Sequence, residues 1–175
     1  MNISIILAAG EGTRMNSNVP KVLHKVCGRP ILEYVIDASK NANLEKNYVI
    51  VGHGEKEIKE KFKDHDIIFK TQPIGKNYPY GTGYAVMQAI DYIEDNSNVI
   101  ILYGDTPLIT DKTILKLMEY HKKNKNNGTV LTAFLDDPTG YGRIVRDEKG
   151  HILKIVEDKD ATEEEKKLKE TNSGI

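Results

Sequence analysis

Apolar positions along the chain fall into short runs separated by stretches of helical spacing. Residues Ser4 to Ala9 are almost continuously apolar and stop at Gly10, the pattern of a parallel strand covered on both faces. From Pro30 to Ala42, Ile31, Leu32, Val35, Ile36 and Ser39 recur at helical spacing, and Pro30 suits a first helical turn. Tyr48 to Val51 reads as a second strand closed by Gly52, Lys56 to Lys63 as a charged helix, and Ile67 to Phe69 as a third strand. Between Gly81 and Glu94, Ala85, Val86, Ala89, Ile90 and Ile93 share one helical face. Val99 to Tyr103 is a further buried-looking strand, followed at once by Gly104 and Asp105. Lys112 to Lys125 is helical and closed by Asn126-Asn127-Gly128. Thr129 to Leu135, Arg143 to Arg146 and Ile152 to Val156 read as strands joined by turn-rich loops. Ala161 to Lys169, acidic and then basic, reads as an exposed helix. The ending, Asn172-Ser173-Gly174-Ile175, reads as a turn entering a new strand.

Strands alternating with helices predict an α/β architecture: a mostly parallel twisted sheet with helices on both faces. Ligands of such sheets bind outside the carboxyl ends of the strands, so the loops after Ala9, Phe69 and Tyr103 are expected on one rim. The 175 residues fit one domain, and no repeat, low-complexity segment or linker divides them. With 39% apolar and 29% charged residues the class is globular. Twenty-five basic against 26 acidic residues leave a charge of −1, so no basic surface points to nucleic acid. No apolar run reaches the roughly 20 residues of a membrane helix, and the start lacks a secretory pattern; neither membrane insertion nor nucleic acid is expected, and the compartment expected is cytoplasmic. The single Cys27 excludes an internal disulfide and is read as structural. The five histidines are scattered without metal-ligand spacing.

Candidate chemistry begins in the loop after the first strand, Leu7-Ala8-Ala9-Gly10-Glu11-Gly12-Thr13-Arg14-Met15. Glycines there let backbone N–H groups approach phosphate or base oxygens. Met15 stands where a dinucleotide fingerprint needs its third glycine, and no Gly-Lys-Ser/Thr of a P-loop follows. Gly10 and Gly12 alone need only make a tight turn. Arg14 and, seven residues on, Lys21 after Pro20 add two cations, which suits a triphosphate being cleaved.

The chain resembles the sugar-1-phosphate nucleotidylyltransferase family. The residues that carry the likeness are LAAGEGTRMNSNVPKVLHKVCGRP, Gln72 with Gly81-Thr82-Gly83, LYGDTPL, DDPTGYGRIVR, IVEDKDAT and ETNSGI, in the family's order across nearly the whole chain. The short spacing from Arg14 to Lys21 and the wording MNSNVPKVLH are similar to the uridylyltransferases that act on N-acetylglucosamine 1-phosphate. The resemblance implies a Rossmann-like, nucleotide-diphospho-sugar transferase fold. It also implies Mg²⁺-dependent uridylyl transfer from UTP to N-acetylglucosamine 1-phosphate, giving UDP-N-acetylglucosamine, a cell-wall precursor, and pyrophosphate. Another hexose 1-phosphate, served by a uridylyl- or thymidylyltransferase, and a nucleotide-binding module with little turnover stay open as alternatives.

By the same resemblance, Arg14 and Lys21 would be catalytic, stabilising charge on the triphosphate. Leu7, Ala8, Ala9, Gly10, Gln72, Gly81, Thr82, Tyr103 and Gly104 would bind the nucleotide, Gln72 because an amide matches both the donor and the acceptor edge of uracil. Asp105 would hold the metal, and Gly142, Glu157 and Asn172 the sugar. The mechanism needs no nucleophile on the protein. The sequence departs from the pattern twice. The segment from Gln72 to Gly81 is longer than usual, with Tyr80 and Tyr84 in place of Leu and His. The family also continues beyond ETNSGI, where a second metal ligand, an Asn, and then an acetyltransferase domain would follow. We therefore expect residues 1–175 to be a nucleotidylyltransferase domain incomplete at its C-terminal end, monomeric as this fragment, in a family that forms homo-oligomers, with a sheet edge left unpaired at the end of the chain.

Overall fold

The computed structural model describes residues 1–12, 15–79 and 81–175. Thr13, Arg14 and Tyr80 lie outside the described residues. The chain divides into two compact units, Met1–Asn124 and Lys125–Ile175.

The first unit runs β1 (Asn2–Ala8), β2 (Lys25–Val26), β3 (Arg29–Pro30), α1 (Ile31–Asn41), β4 (Lys46–Val51), α2 (Glu55–Lys61), β5 (Ile68–Thr71), α3 (Thr82–Met87), β6 (Asn98–Tyr103) and α4 (Asp111–Asn124). Among the described residues β5, β4, β1 and β6 form, in that order, a sheet whose pairings are all parallel. The continuous apolar run of β1 is explained by its place: Ile3, Ile5 and Ile6 are at most 1% exposed. Alternation along β1 sends Ile3, Ile5 and Leu7 to one face, where they pack with Tyr48, Ile50, Ala85, Val86 and Ala89. Ser4 points to the other face and meets Ser39 of α1. Helices therefore cover both faces, as the sequence predicts.

A polar network is sealed under α1. Ser4 Oγ donates to Asn47 Oδ1 at 2.9 Å, and the Ser39 hydroxyl donates to the same oxygen. Ser4 and Ser39 are completely buried and Asn47 is nearly so, which makes this acceptor hard to replace.

Two elements differ from the sequence pattern. The helix expected over Gly81–Glu94 ends at Met87, and Ile90–Tyr92 form a separate 3₁₀ turn. Gln88 causes the tightening: its side-chain Nε2 takes the Tyr84 carbonyl at 2.9 Å, while its own amide donates to Ala85, an i→i−3 bond. The second is a hairpin that the pattern did not suggest. Cys27 (φ 49°) and Gly28 (φ 83°) link β2 to β3, and two positive φ values are what a two-residue turn of this hand requires.

The second unit contains β7 (Thr132–Phe134), β8 (Arg143–Arg146), β9 (Ile152–Val156), α5 (Glu163–Lys166) and β10 (Glu170–Asn172). The strands form an antiparallel sheet in the order β7-β10-β8-β9. Glu170–Asn172, where the sequence suggested only a turn from Asn172 onward, is a strand hydrogen-bonded on both sides, and Thr171 is 1% exposed. The run Ala161–Lys169 shortens to the single turn α5, held by a capping box between Thr162 and Glu165.

Two predictions follow from the packing and charge of these units. Asn47→Ala removes the shared acceptor of two buried hydroxyls and should lower the unfolding free energy by about 2 kcal/mol, measured by urea denaturation. The second unit should weaken in acid. The Lys154 ammonium, 2.6 Å from Glu165, together with the Thr162 amide, holds the Glu165 carboxyl at about 2, below its ordinary 4.5. The Arg146 guanidinium, with help from the Thr132 hydroxyl, likewise lowers Glu170. Groups lowered by folding contribute stability that is complete above their unfolded value and is lost as pH falls toward the folded value. The protection factors of the β8–β10 amides in hydrogen exchange should fall between pH 4.5 and about 2, and Glu165→Gln should flatten that dependence.

Candidate active site

The direction of the chain reverses at β1. From β1 it builds outward to β4 and β5, then returns to place β6 on the other side. In an open parallel sheet such a reversal leaves a crevice outside the carboxyl ends of the two diverging strands. Here the crevice lies between the loop after Ala8 and the loop after Tyr103. It is a cavity of about 310 Å³, lined by Leu7 to Gly12, Lys21, Val22, Gln72, Gly81, Thr82, Ala85, Tyr103 and Asp105.

One ion pair dominates its electrostatics. Lys21 Nζ donates to Asp105 Oδ2 at 2.5 Å, with side chains 41% and 29% exposed. Such a half-exposed pair adds little to stability, so both charges can be redirected to a ligand at small cost. Asp105 offers hard oxygen donors at the rim, which fits a magnesium ion held by one carboxylate with phosphate and water oxygens completing its shell. Among the described residues no group of three or more His, Cys, Asp or Glu side chains could hold a metal by itself.

The position of Lys21 depends on two absent side chains. Gly12 (φ +65°) lies against the Lys21 stem, and a Cβ on it would stand 2.7 Å from Lys21 Cβ. Gly54 (φ +69°) lies against Pro20, and a Cβ there would stand 2.2 Å from Pro20 Cγ. The His53 amide donates to the Ala9 carbonyl at 3.2 Å, so the Gly52–Gly54 turn ties down the glycine loop and the Pro20-Lys21 segment together. The pattern Gly-His-Gly at the end of a strand was the only trace of this in the sequence.

The residues expected around a nucleotide fall in this way. Leu7, Ala8, Ala9, Gly10, Gln72, Gly81, Thr82 and Tyr103 line the cavity together with Lys21 and Asp105. Gln72 is 6% exposed, its backbone N–H donating to the Val51 carbonyl at 2.7 Å. The Tyr103 and Thr82 hydroxyls meet at 3.2 Å. Gly104 is buried behind the wall, where its amide donates to Leu7 and a Cβ would stand 2.9 Å from that same carbonyl oxygen. Arg14 lies outside the described residues. Glu11, Gly12, Val22 and Ala85 also line the cavity, none of them assigned to the nucleotide from the sequence.

In the second unit the antiparallel register collects the other three candidates. Arg143 pairs with Val156 and with Thr171, so Gly142, Glu157 and Asn172, one step along each segment, fall in one row. The Asn172 backbone N–H donates to the Gly142 carbonyl at 2.9 Å. A Cβ on Gly142 would lie 3.6 Å from Glu157 Oε1 and 3.7 Å from Asn172 Cβ. The missing side chain therefore leaves a notch with a carboxylate on one side and an amide residue on the other.

Known proteins set this geometry in context. The MobA-like NTP transferase domain family matches residues 4–163. The bifunctional protein GlmU of Caldanaerobacter subterraneus is 49% identical over 173 residues, covering 99% of this chain and 37% of that protein. GlmU of Clostridioides difficile is 50% identical over 173 residues, covering 98% and 36%. The chain thus spans a little over a third of the length of these relatives. A crystal structure from Bacillus anthracis, assigned as a glucose-1-phosphate thymidylyltransferase and solved with sucrose, superposes with a TM-score of 0.77 at 21% identity over 99% of this chain and 70% of that one; that likeness is one of fold. On these grounds the chain belongs to the MobA-like NTP transferase domain family and is a nucleotidyltransferase domain.

Proposed function

We propose that the domain transfers uridylyl from UTP to N-acetylglucosamine 1-phosphate, with Mg²⁺, giving UDP-N-acetylglucosamine and pyrophosphate. The observation that carries this reading is the Lys21–Asp105 pair on the wall of a glycine-lipped cavity at the reversal of the sheet. The two curated relatives named bifunctional protein GlmU lend support to a sugar-phosphate substrate.

In this reading the backbone from Leu7 to Gly10 and the amide of Gln72 hold the uridine. The free phosphate oxygen of the sugar phosphate attacks the α-phosphorus in line. The bond from that phosphorus to the α,β-bridging oxygen breaks, and both electrons leave with pyrophosphate. No protein group becomes covalently attached, so catalysis is positioning and charge stabilisation. Lys21 leaves Asp105 for a phosphate oxygen and neutralises charge that grows on the leaving group. Asp105, freed from Lys21, would hold the metal, which would supply positive charge to phosphate oxygens. Arg14 is the second cation assigned to the triphosphate. Glu157 accepts hydrogen bonds from sugar hydroxyls, Asn172 supplies an amide beside it, and the N-acetyl group occupies the notch over Gly142.

Titration calorimetry with UTP in the presence and absence of Mg²⁺ tests the nucleotide half. Asp105→Asn should abolish the gain in affinity that Mg²⁺ gives, and Lys21→Ala should weaken UTP roughly tenfold. Full magnesium-dependent binding by Asp105→Asn would refute the metal assignment. For the sugar half, Gly142→Ala fills the notch at ordinary contact distances. It should raise the KM for N-acetylglucosamine 1-phosphate and leave UTP affinity alone; an unchanged KM, or a preference for glucose 1-phosphate in the unsubstituted chain, would contradict the proposed acceptor.

A further inference from the structure

Arg143 is 2% exposed, among the most deeply buried large side chains of the protein. A guanidinium cannot shed its charge, so its burial needs a compensating reason. Its contacts supply one. One terminal nitrogen donates to the Tyr141 carbonyl, and the other donates to Asp158 Oδ1 at 2.9 Å. Tyr141 immediately precedes Gly142, and Asp158 immediately follows Glu157. Side chains alternate across a strand, and Ile155 confirms the phase, since its Cγ2 lies 3.4 Å from where a Gly142 Cβ would be. Arg143 therefore lies on the face opposite the notch, and its bond to Asp158 Oδ1 holds that carboxylate beside it.

From this geometry we infer that Arg143 is a positioning residue for sugar recognition. Resting on the sugar site proposed above, it fixes the spacing between Gly142 and Glu157 from beneath without touching the sugar. A fork that binds the carbonyl of one segment and the carboxylate of another holds the two segments at a set distance. Asp158 also opens the turn Asp158–Asp160, so the guanidinium pins the segment through which Glu157 leaves β9. Without the fork, Glu157 keeps its charge and its exposure but loses its fixed place beside the Gly142 gap.

The test compares UDP with UDP-N-acetylglucosamine as ligands of the 175-residue chain in Mg²⁺. The ratio of the two dissociation constants isolates what the sugar adds. Arg143→Lys, which keeps the charge but cannot span both partners, should reduce that ratio by roughly tenfold. Asp158→Asn, which keeps an acceptor oxygen on the guanidinium and is the milder change for folding, should reduce it by about threefold. UDP affinity should stay within about twofold in both, with thermal unfolding recorded alongside. An unchanged ratio in both variants, in a chain where Glu157→Gln does lower it, overturns the positioning role and leaves the sugar site standing. A parallel loss of UDP affinity would mark a merely structural role and overturn it as well. A native chain that binds both ligands alike removes the sugar site itself, and the role of Arg143 with it.

Discussion

The first unit depends on a single constraint: β1 is hydrogen-bonded along both edges and covered on both faces. Such a strand has to be apolar along its buried length, and β1 is from Ile3 to Ala8 except for Ser4, whose hydroxyl is absorbed by Asn47. Parallel neighbours on both edges require the chain to cross over a face of the sheet each time. One crossover leads to β4, and a later one returns to β6 on the far side. The loops leaving β1 and β6 then diverge, and the space between them cannot be filled by either helix layer. The cavity is a consequence of how β1 is buried. Its chemistry is set by what the two loops carry, glycines after β1 and Asp105 after β6.

In the proposed reading the two units place their charges differently for their two ligands. At the rim of the parallel sheet the charges are half exposed and paired with each other, Lys21 with Asp105. They are held loosely enough to exchange partners when phosphates arrive. In the antiparallel unit the cation of the Arg143–Asp158 pair is buried while its carboxylate stays partly exposed, and the opposite face presents Glu157, Asn172 and Ile155 around a gap. Triphosphate chemistry needs movable charge, whereas a neutral sugar needs a rigid edge of acceptors and donors.

Much of this was legible in the sequence where local pattern decides structure. β1, α1, β4 and β6 carry uninterrupted apolar or helical periods and sit within one or two residues of their predicted bounds. Asp105 could be picked out because it follows a strand, Lys21 because it is a cation shortly after the glycine loop, and Gln72 through the family resemblance. What stayed hidden depends on contacts between distant residues. Gly12 and Gly54 matter because Lys21 and Pro20 occupy the space of their missing Cβ atoms, and no sequence period records that. Gly104 reads as a ligand contact in its motif but is packed against Leu7. β10 is three polar residues long and looks like the tail of a helix; pairing on both sides, not propensity, makes it a strand. Arg143 was one of four arginines in a lysine-rich chain, yet only its burial distinguishes it from Arg146.

The account is tested most directly by mapping where UTP with Mg²⁺ perturbs the backbone amide resonances of the folded chain. It predicts the largest shifts at Gly10, Gly12, Gln72 and Asp105, with residues 125–175 little changed until the sugar phosphate is added. Shifts concentrated in residues 125–175, with the glycine loop and Asp105 unmoved, would contradict it.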